Sequence, residues 1–205
     1  MSKIDYKKEL KGLYLPSSKK VVKVNVPSMN YLMVDGMGEP DPVLNPGYGQ
    51  AVEALFTVSY TIKFMLKKAE NGIDYGVLPL EGLWWAEDMT DFIKGNKSRW
   101  QWSMMIMQPK VVTKSIVGEA IKQVKAKKKV TAIEKLKFSS FTEGEAAQIL
   151  YIGPFSEEGP TVEKVHSFIL ERGRKICGKH HEIYLTDVRR AAPENWKTVI
   201  RQPME

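Results

Sequence analysis

The order of predicted strands and helices in this 205-residue chain occurs twice, and this repetition limits the possible folds more than any single motif does. Each half contains strand-like segments, an irregular loop, an amphipathic helix, a break at glycine and two more strands. An internal duplication explains this order most simply, although few residues are identical between the halves. We predict one repeat over about 20–110 and another over about 134–205, with a connecting helix over about 113–127.

Local patterns set the boundaries of the individual elements. Apolar residues at three- and four-residue steps predict a helix over 51–69, which Gly72 follows as a stop signal, after a loop over 37–49. Thr113 is a suitable N-cap for the connecting helix, and Pro160 opens the helix of the second repeat. Segments typical of strands lie at 21–26, 30–36, 75–80, 99–108, 136–142, 146–153, 180–186 and 198–201.

Two β-α-β-β units that each expose a sheet edge can pair side by side, which predicts an α+β fold in a single domain over 1–205. The strands are expected to form one antiparallel sheet with the helices on one face. The other face is then concave. Because ligand sites favour an interface between two halves, we expect a ligand cleft there.

Each repeat places a glutamate among aromatic residues on or beside a strand. A carboxylate next to large rings suits a pocket for bulky, apolar or cationic ligands. In the first repeat, Glu81 and Trp85 share a face if the strand is regular, whereas a bulge at Gly82 brings Trp84 into the cleft instead.

In the second repeat, strand alternation puts Glu182 and Tyr184 on one face and Ile183 on the other. The apolar Ile183 face is expected to meet the helices, so Glu182 and Tyr184 point together into the cleft. The alternative for Glu182 is a structural acid paired with Arg189, Arg190 or a histidine.

Composition argues against several functional classes. The formal charge of +7 comes with clustered lysines and no zinc-finger or RNA-recognition motif, so direct nucleic-acid binding is not expected. The lack of a long apolar run or a signal-peptide core predicts a cytoplasmic protein with no membrane association. Cys177 is the only cysteine, and the adjacent His180 and His181 point to opposite strand faces, so neither a metal nor another cofactor is expected.

The duplicated order, together with His-Glu-Ile-Tyr-Leu-Thr-Asp at 181–187 and the arginines at 189 and 190, resembles the GyrI-like small-molecule-binding domain. It is also similar to the effector-binding domain of multidrug-responsive transcription activators. Segments 79–85 and 100–109 resemble the corresponding segments of a subfamily whose members are stand-alone proteins. Val188 stands where the motif has proline, and Tyr151 stands where histidine is common.

The resemblance implies a bacterial protein that binds hydrophobic or cationic aromatic small molecules, with a buried glutamate at the position of Glu182. Some stand-alone members hydrolyse cyclopropane-bearing DNA-alkylating natural products of the yatakemycin and duocarmycin kind. For that chemistry, Glu182 or Glu81 is the candidate general base, and Tyr184 is the candidate donor to the developing oxyanion. The candidate ligand-binding side chains are Trp84, Trp85, Trp102, Tyr48, Met104 and Tyr151.

Two other functions fit the same residues. One is a non-catalytic module that sequesters or senses drugs, and the other is a protein-binding inhibitor, because some GyrI-like members act on DNA gyrase. A homodimer is compatible with each of these functions. The tryptophans also have a plain packing explanation, and Glu143 and Glu145 lie in a predicted turn where we expect them to be solvated.

Overall fold

A computed structural model describes residues 3–70, 72–87 and 96–205, which fold into helices and antiparallel strands and confirm the predicted α+β class. The helices are α1 (Tyr6–Glu9), α2 (Lys11–Tyr14), α3 (Pro46–Lys68), α4 (Lys114–Lys127) and α5 (Gly159–Leu170). The strands are β1 (Val22–Val26), β2 (Met29–Met37), β3 (Leu80–Trp85), β4 (Gln101–Gln108), β5 (Lys137–Phe141), β6 (Gly144–Ile152), β7 (His180–Tyr184) and β8 (Lys197–Pro203). Short 3-10 turns lie at Lys97–Arg99, Thr131–Lys135, Phe155–Glu157 and Pro193–Asn195.

The chain divides into two compact units that do not coincide with the two halves of the sequence. The first unit comprises Met1–Tyr6, Met29–Leu78 and Trp85–Phe141, and the second comprises Lys7–Ser28, Pro79–Trp84 and Thr142–Glu205. Strand β1 therefore belongs to the second unit, where it pairs with β6, and β5 belongs to the first, where it pairs with β2. The first half of the sequence thus contributes β1 and β3 to the second unit, and the second half contributes β5 to the first.

In the first unit, the strand order is β4-β2-β5, and both pairs are antiparallel. Helix α3 packs on β2 and β4 through a buried face, and α4 packs against α3. The Thr113 hydroxyl accepts a 3.3 Å hydrogen bond from the backbone N–H of Ile116, which confirms the predicted N-cap. Helix α3 begins at Pro46, earlier than predicted, because proline and glycine are tolerated in a first turn whose N–H groups need no helical partner.

In the second unit, the strand order is β1-β6-β8-β7-β3, and every pair is antiparallel. Helix α5 covers one face of these strands through an apolar cluster that includes Val165, Ile169 and Ile200. The short helix α2 lies at the other face, where Arg201 and Gln148 donate hydrogen bonds to backbone carbonyls of the α2 segment.

The strand predicted at 75–80 is wrong in position. Tyr75 forms only an isolated bridge with Ile4, and β3 begins at Leu80 instead. Pro79 immediately precedes β3 and has no N–H for a sheet hydrogen bond, which is typical of a strand boundary. Within the described ranges, no helix has the length and apolar character needed to cross a lipid bilayer.

Candidate functional site

Strands β3 and β7 pair in a regular antiparallel register that brings four polar or aromatic side chains to one face. Gly82 lies opposite Glu182, Leu80 opposite Tyr184, and Trp84 opposite His180. Because directly opposed residues share a face, Trp84, His180, Glu182 and Tyr184 project from the same side of the pair. We call this side the Glu182 face. The prediction that Glu182 and Tyr184 share a face is confirmed.

Gly82 makes room for a hydrogen bond between two of these side chains. The indole Nε1 of Trp84 donates to the hydroxyl oxygen of Tyr184 at 3.0 Å. A Cβ atom at position 82 would lie 2.7 Å from that indole nitrogen and 3.1 Å from the Tyr184 hydroxyl, closer than a side chain can approach without displacing them. The strand stays regular through Gly82, so alternation rather than a bulge places Trp84 on the Glu182 face.

Further aromatic rings extend this face from the turns of the second unit. The ring of Phe155 stands edge-on to Tyr184, with centroids 5.7 Å apart and an interplanar angle of 80°. The ring of Trp196 lies 5.0 Å from that of Phe155. The edge-to-face pair of Phe155 and Tyr184 is favourable because the positive edge of one ring meets the negative face of the other. The face therefore groups several aromatic rings, with Trp84 buried, beside a carboxylate.

The Glu182 side chain is largely buried and keeps only a small accessible fraction. Its Oε1 lies 3.3 Å from Nε2 of His180, and the two side chains are 11% and 15% exposed. The contact orients one carboxylate oxygen and becomes an ion pair when the imidazole is protonated. A partly accessible acid among rings can bind a cation or accept a proton from a water molecule.

The Glu182 face is the face of the second unit that α5 covers, which corrects the predicted orientation. Ile200 lies directly opposite Glu182 and packs in the same apolar cluster as α5. Ile183 was expected to meet the helices, but it points to the other side and is fully buried there. The side that carries Ile183 packs against the α2 segment and contains buried charged side chains. Strand alternation alone does not predict which elements pack on each side.

Glu81, the alternative candidate base, does not converge with Glu182 and projects from the opposite side of the strand pair. Glu81 lies opposite Ile183, one position away from the Gly82 and Glu182 pair, so it points to the other side of the strands. Its side chain is fully buried, accepts a 2.7 Å hydrogen bond from the hydroxyl of Tyr14 at Oε1, and contacts His181 Nε2 at 3.0 Å through Oε2.

Glu81 is part of a buried charge network that continues through His181. The second imidazole nitrogen, Nδ1, lies 3.0 Å from Glu143, and Arg201 donates a 3.0 Å hydrogen bond to the same carboxylate. Arg201 also donates to Gln148 at 2.8 Å. The expectation that Glu143 is solvated is wrong, because its side chain is only 1% exposed.

The charges in this network stabilise one another. Burial alone raises the pKa of Glu143, but the neighbouring charges of His181 and Arg201 outweigh it and lower that pKa to about 2. Burial lowers the pKa of His181, but the Glu143 carboxylate outweighs burial and raises it to about 8. The network therefore keeps the His181 imidazole protonated beside the Glu143 carboxylate at neutral pH.

The remaining predicted ligand-binding residues divide between the two units. Tyr151 lies on the Glu182 face because Thr198 opposes both Tyr151 and Tyr184, and its hydroxyl donates to the Pro154 carbonyl at 2.9 Å. Four residues belong to the first unit, where Met104 and Trp102 are buried and Tyr48 and Trp85 are half-buried.

In the first unit, the Trp102 indole donates a 3.2 Å hydrogen bond to the carbonyl of Gly38. Its ring stands edge-on to Tyr48, with centroids 5.5 Å apart. It also lies over Gly36, where a Cβ atom would overlap it. Trp102 is therefore firmly packed within its own unit, which agrees with the packing explanation for that tryptophan.

The contact between Glu182 and His180 agrees with the predicted alternative in which a histidine pairs with Glu182. Other residues that contact the predicted ones were not predicted. No local signal marked Tyr14 or Phe155, because both reach their partners from distant parts of the chain. In the part of the chain that the structure describes, no group of three or more His, Cys, Asp or Glu side chains is arranged to hold a metal ion.

Comparison with known proteins places these features in a family. The model of the GyrI-like small molecule binding domain matches residues 19–204. A conserved protein from Listeria innocua, described as uncharacterized, has a similar crystal structure with a TM-score of 0.88 and 41% sequence identity, covering 99% of this chain and 100% of that one. No curated protein matches the sequence significantly.

Two other crystal structures from Listeria innocua are described as hydrolases. One has a TM-score of 0.85 and 38% identity, covering 99% of this chain and 100% of that one. The other has a TM-score of 0.86 and 39% identity, covering the whole of both chains. The similarity therefore extends over the full length of each relative.

Proposed function

The chain belongs to the GyrI-like small molecule binding domain family, and from that membership we propose that a bulky hydrophobic or aromatic compound binds against its Glu182 face. The observation that carries this proposal is the Glu182 carboxylate, partly accessible beside the hydrogen-bonded rings of Trp84 and Tyr184. Aromatic side chains provide contact area for a flat ligand, and the acid provides recognition of positive charge or proton chemistry.

We propose further that the protein is a hydrolase that opens cyclopropanoid DNA-alkylating compounds by adding water. The description of two relatives at 38% and 39% identity as hydrolases supports a hydrolytic activity in general. The substrate class rests on the family resemblance described above and on the fit between its chemistry and the Glu182 face. The product would no longer alkylate DNA, so the activity would protect the cell.

In the proposed reaction, the oxygen of a water molecule attacks the ring carbon of a cyclopropane conjugated to a carbonyl. The carbon–carbon bond of the ring breaks, and its electron pair moves onto the carbonyl oxygen. Glu182 takes a proton from the attacking water, and that proton finally neutralises the oxyanion, so the net change is addition of one water. His180 contacts Oε1 of Glu182, and we assign the water to Oε2.

Tyr184 is the proposed donor to the developing oxyanion. Its hydroxyl oxygen accepts a hydrogen bond from Trp84, which polarises the hydroxyl and strengthens the bond that its hydrogen can donate. Glu182, rather than the fully buried Glu81, is the proposed base. A binding-only function uses the same residues, with Glu182 recognising a cationic aromatic compound without turnover.

The test is to incubate the purified protein with an excess of a duocarmycin-type alkylator and to measure ring-opened product by mass spectrometry. We expect several equivalents of product per protein, loss of turnover in Glu182→Gln, and normal turnover in Glu194→Gln, which changes an exposed carboxylate outside the Glu182 face. Tight binding without product would replace the hydrolase proposal with a sequestering or sensing function. Absence of both binding and turnover would contradict the proposed ligand class.

A further inference from the structure

The first unit contains a groove between α3 and α4 that shares no residue with the Glu182 face. Its volume is about 550 Å³, and it is lined by Tyr60, Thr61, Phe64, Met65, Lys68, Ala69, Gln123 and Lys127. This volume falls within the range of roughly 300–1,000 Å³ that is typical of small-molecule sites. Half of its eight lining residues are apolar or aromatic and half are polar or charged, so the groove can contact both a ring system and a polar group.

Two aromatic rings at the groove are exposed and lie away from the core-facing side of α3. Phe56, Tyr60 and Phe64 follow one another at four-residue steps along α3, with ring centroids 6.3 and 6.5 Å apart. Tyr60 is 46% exposed and Phe64 is 48% exposed, whereas the core side of α3 is formed by residues such as Leu55 and Ile62. The exposed parts of these rings can contact a flat ligand, and the ammonium of Lys63 already lies over Phe64, 4.9 Å from its ring centroid.

Two exposed lysines lie at the groove. Neither Lys68 nor Lys127 forms an ion pair with any residue that the structure describes, although other lysines nearby do. Lys67 contacts Asp74 at 2.7 Å, for example, and Lys128 contacts Glu53 at 3.0 Å. The two ammonium groups would attract an anionic ligand to the groove.

We propose that this groove binds an aromatic anion, meaning a flat ring system that carries a carboxylate or sulfonate. The rings of Tyr60 and Phe64 would contact the ring system, and the ammonium groups of Lys68 and Lys127 would contact the anionic group. A cationic aromatic compound, which the binding-only function assigns to the Glu182 face, would be repelled by the lysines. The two sites therefore differ in ligand class, and this proposal does not depend on the proposed hydrolase activity.

The test uses two fluorescent probes with the same ring systems and different charge. One is 8-anilinonaphthalene-1-sulfonate, and the other is the neutral N-phenyl-1-naphthylamine, which lacks the sulfonate. We expect the full chain to bind the sulfonate with an affinity that falls as ionic strength rises. The double variant Lys68→Gln with Lys127→Gln is expected to weaken sulfonate binding by about tenfold and to change binding of the neutral probe by less than about twofold.

A matched control separates a local effect of the lysines from an effect of net charge. Lys114→Gln with Lys122→Gln removes the same charge from α4 at positions outside the groove, and sulfonate binding is expected to be unchanged. Phe64→Ala is expected to weaken binding of both probes. Absence of sulfonate binding, or equal binding by the wild-type protein and the Lys68 and Lys127 double variant, would overturn the proposal.

Discussion

The indole nitrogen of Trp84 donates a 3.0 Å hydrogen bond to the hydroxyl of Tyr184 across Gly82, which lies directly opposite Glu182. The two rings are 100 positions apart in sequence and come together only because β3 pairs with β7. This pairing makes Trp84, Tyr184 and Glu182 one surface, and it links the fold of the second unit to its proposed chemistry.

The contribution of this hydrogen bond can be measured with a double-mutant cycle. Trp84→Phe and Tyr184→Phe each remove one partner and keep an aromatic ring. A net coupling of about 1 kcal/mol in the free energy of unfolding is expected, since a neutral intramolecular hydrogen bond typically contributes that much. Urea unfolding of the wild type, both single variants and the double variant gives the coupling. A coupling of zero would show that the bond contributes nothing to stability.

Substitution of Gly82 should damage the Glu182 face directly. In Gly82→Ala, the new Cβ would lie 2.7 Å from the Trp84 indole nitrogen, so the ring must move. We expect a loss of stability of about 1–3 kcal/mol and a weaker affinity for aromatic ligands. Gly118→Ala is the matched control, because a Cβ at that helical position meets nothing within 4 Å and should stabilise the protein by about 0.5–1 kcal/mol. Equal effects of the two substitutions would contradict this account.

The buried network should make Arg201 one of the most sensitive positions in the second unit. Arg201→Met leaves the Glu143 carboxylate buried without its guanidinium, and breaking a buried ion pair in this way typically costs about 3–5 kcal/mol. Arg189→Met is the control, since that side chain is exposed and its loss should change stability by about 0.5 kcal/mol or less. Urea unfolding compares the two variants, and a small effect at Arg201 would refute the proposed importance of the network.

The stability of the protein should decrease at mildly alkaline pH because of His181. Its pKa rises from 6.5 to about 8 on folding, so its contribution is complete below pH 6.5 and is lost as pH rises through 8. The shift corresponds to about 2 kcal/mol. Between pH 6 and pH 9, the free energy of unfolding should therefore fall by about this amount more in the wild type than in His181→Gln. An identical pH dependence in both proteins would show that His181 is not charged in the folded state.

Local sequence patterns predicted the features that depend on a few neighbouring residues. Alternation along β7 correctly placed Glu182 and Tyr184 on one face, and Thr113 was correctly identified as an N-cap. The relative phase of Glu81 and Glu182 could not be obtained in this way, because it depends on the register between two strands about 100 positions apart.

Long-range contacts also explain the other corrections. Glu143 lies in a short segment between two strands, where local sequence predicts solvent exposure. Arg201, 58 positions later, instead donates a hydrogen bond to its carboxylate. Strands β1 and β5 lie in different units from their sequence neighbours because of the strands with which they pair. A strand's own composition does not determine its pairing partner. The residues missed near the Glu182 face, such as Phe155, reach it from a turn.

The most direct test of the central claim is the ring-opening rate of Glu182→Gln at a saturating concentration of a duocarmycin-type substrate, with the dissociation constant measured in parallel. The account predicts a rate reduced by at least about 100-fold, the usual contribution of a general base, while the dissociation constant changes by less than about threefold. The amide keeps the shape of the carboxylate and removes its ability to take a proton. A variant that binds and turns over the substrate like the wild type would contradict the assignment of Glu182 as the base.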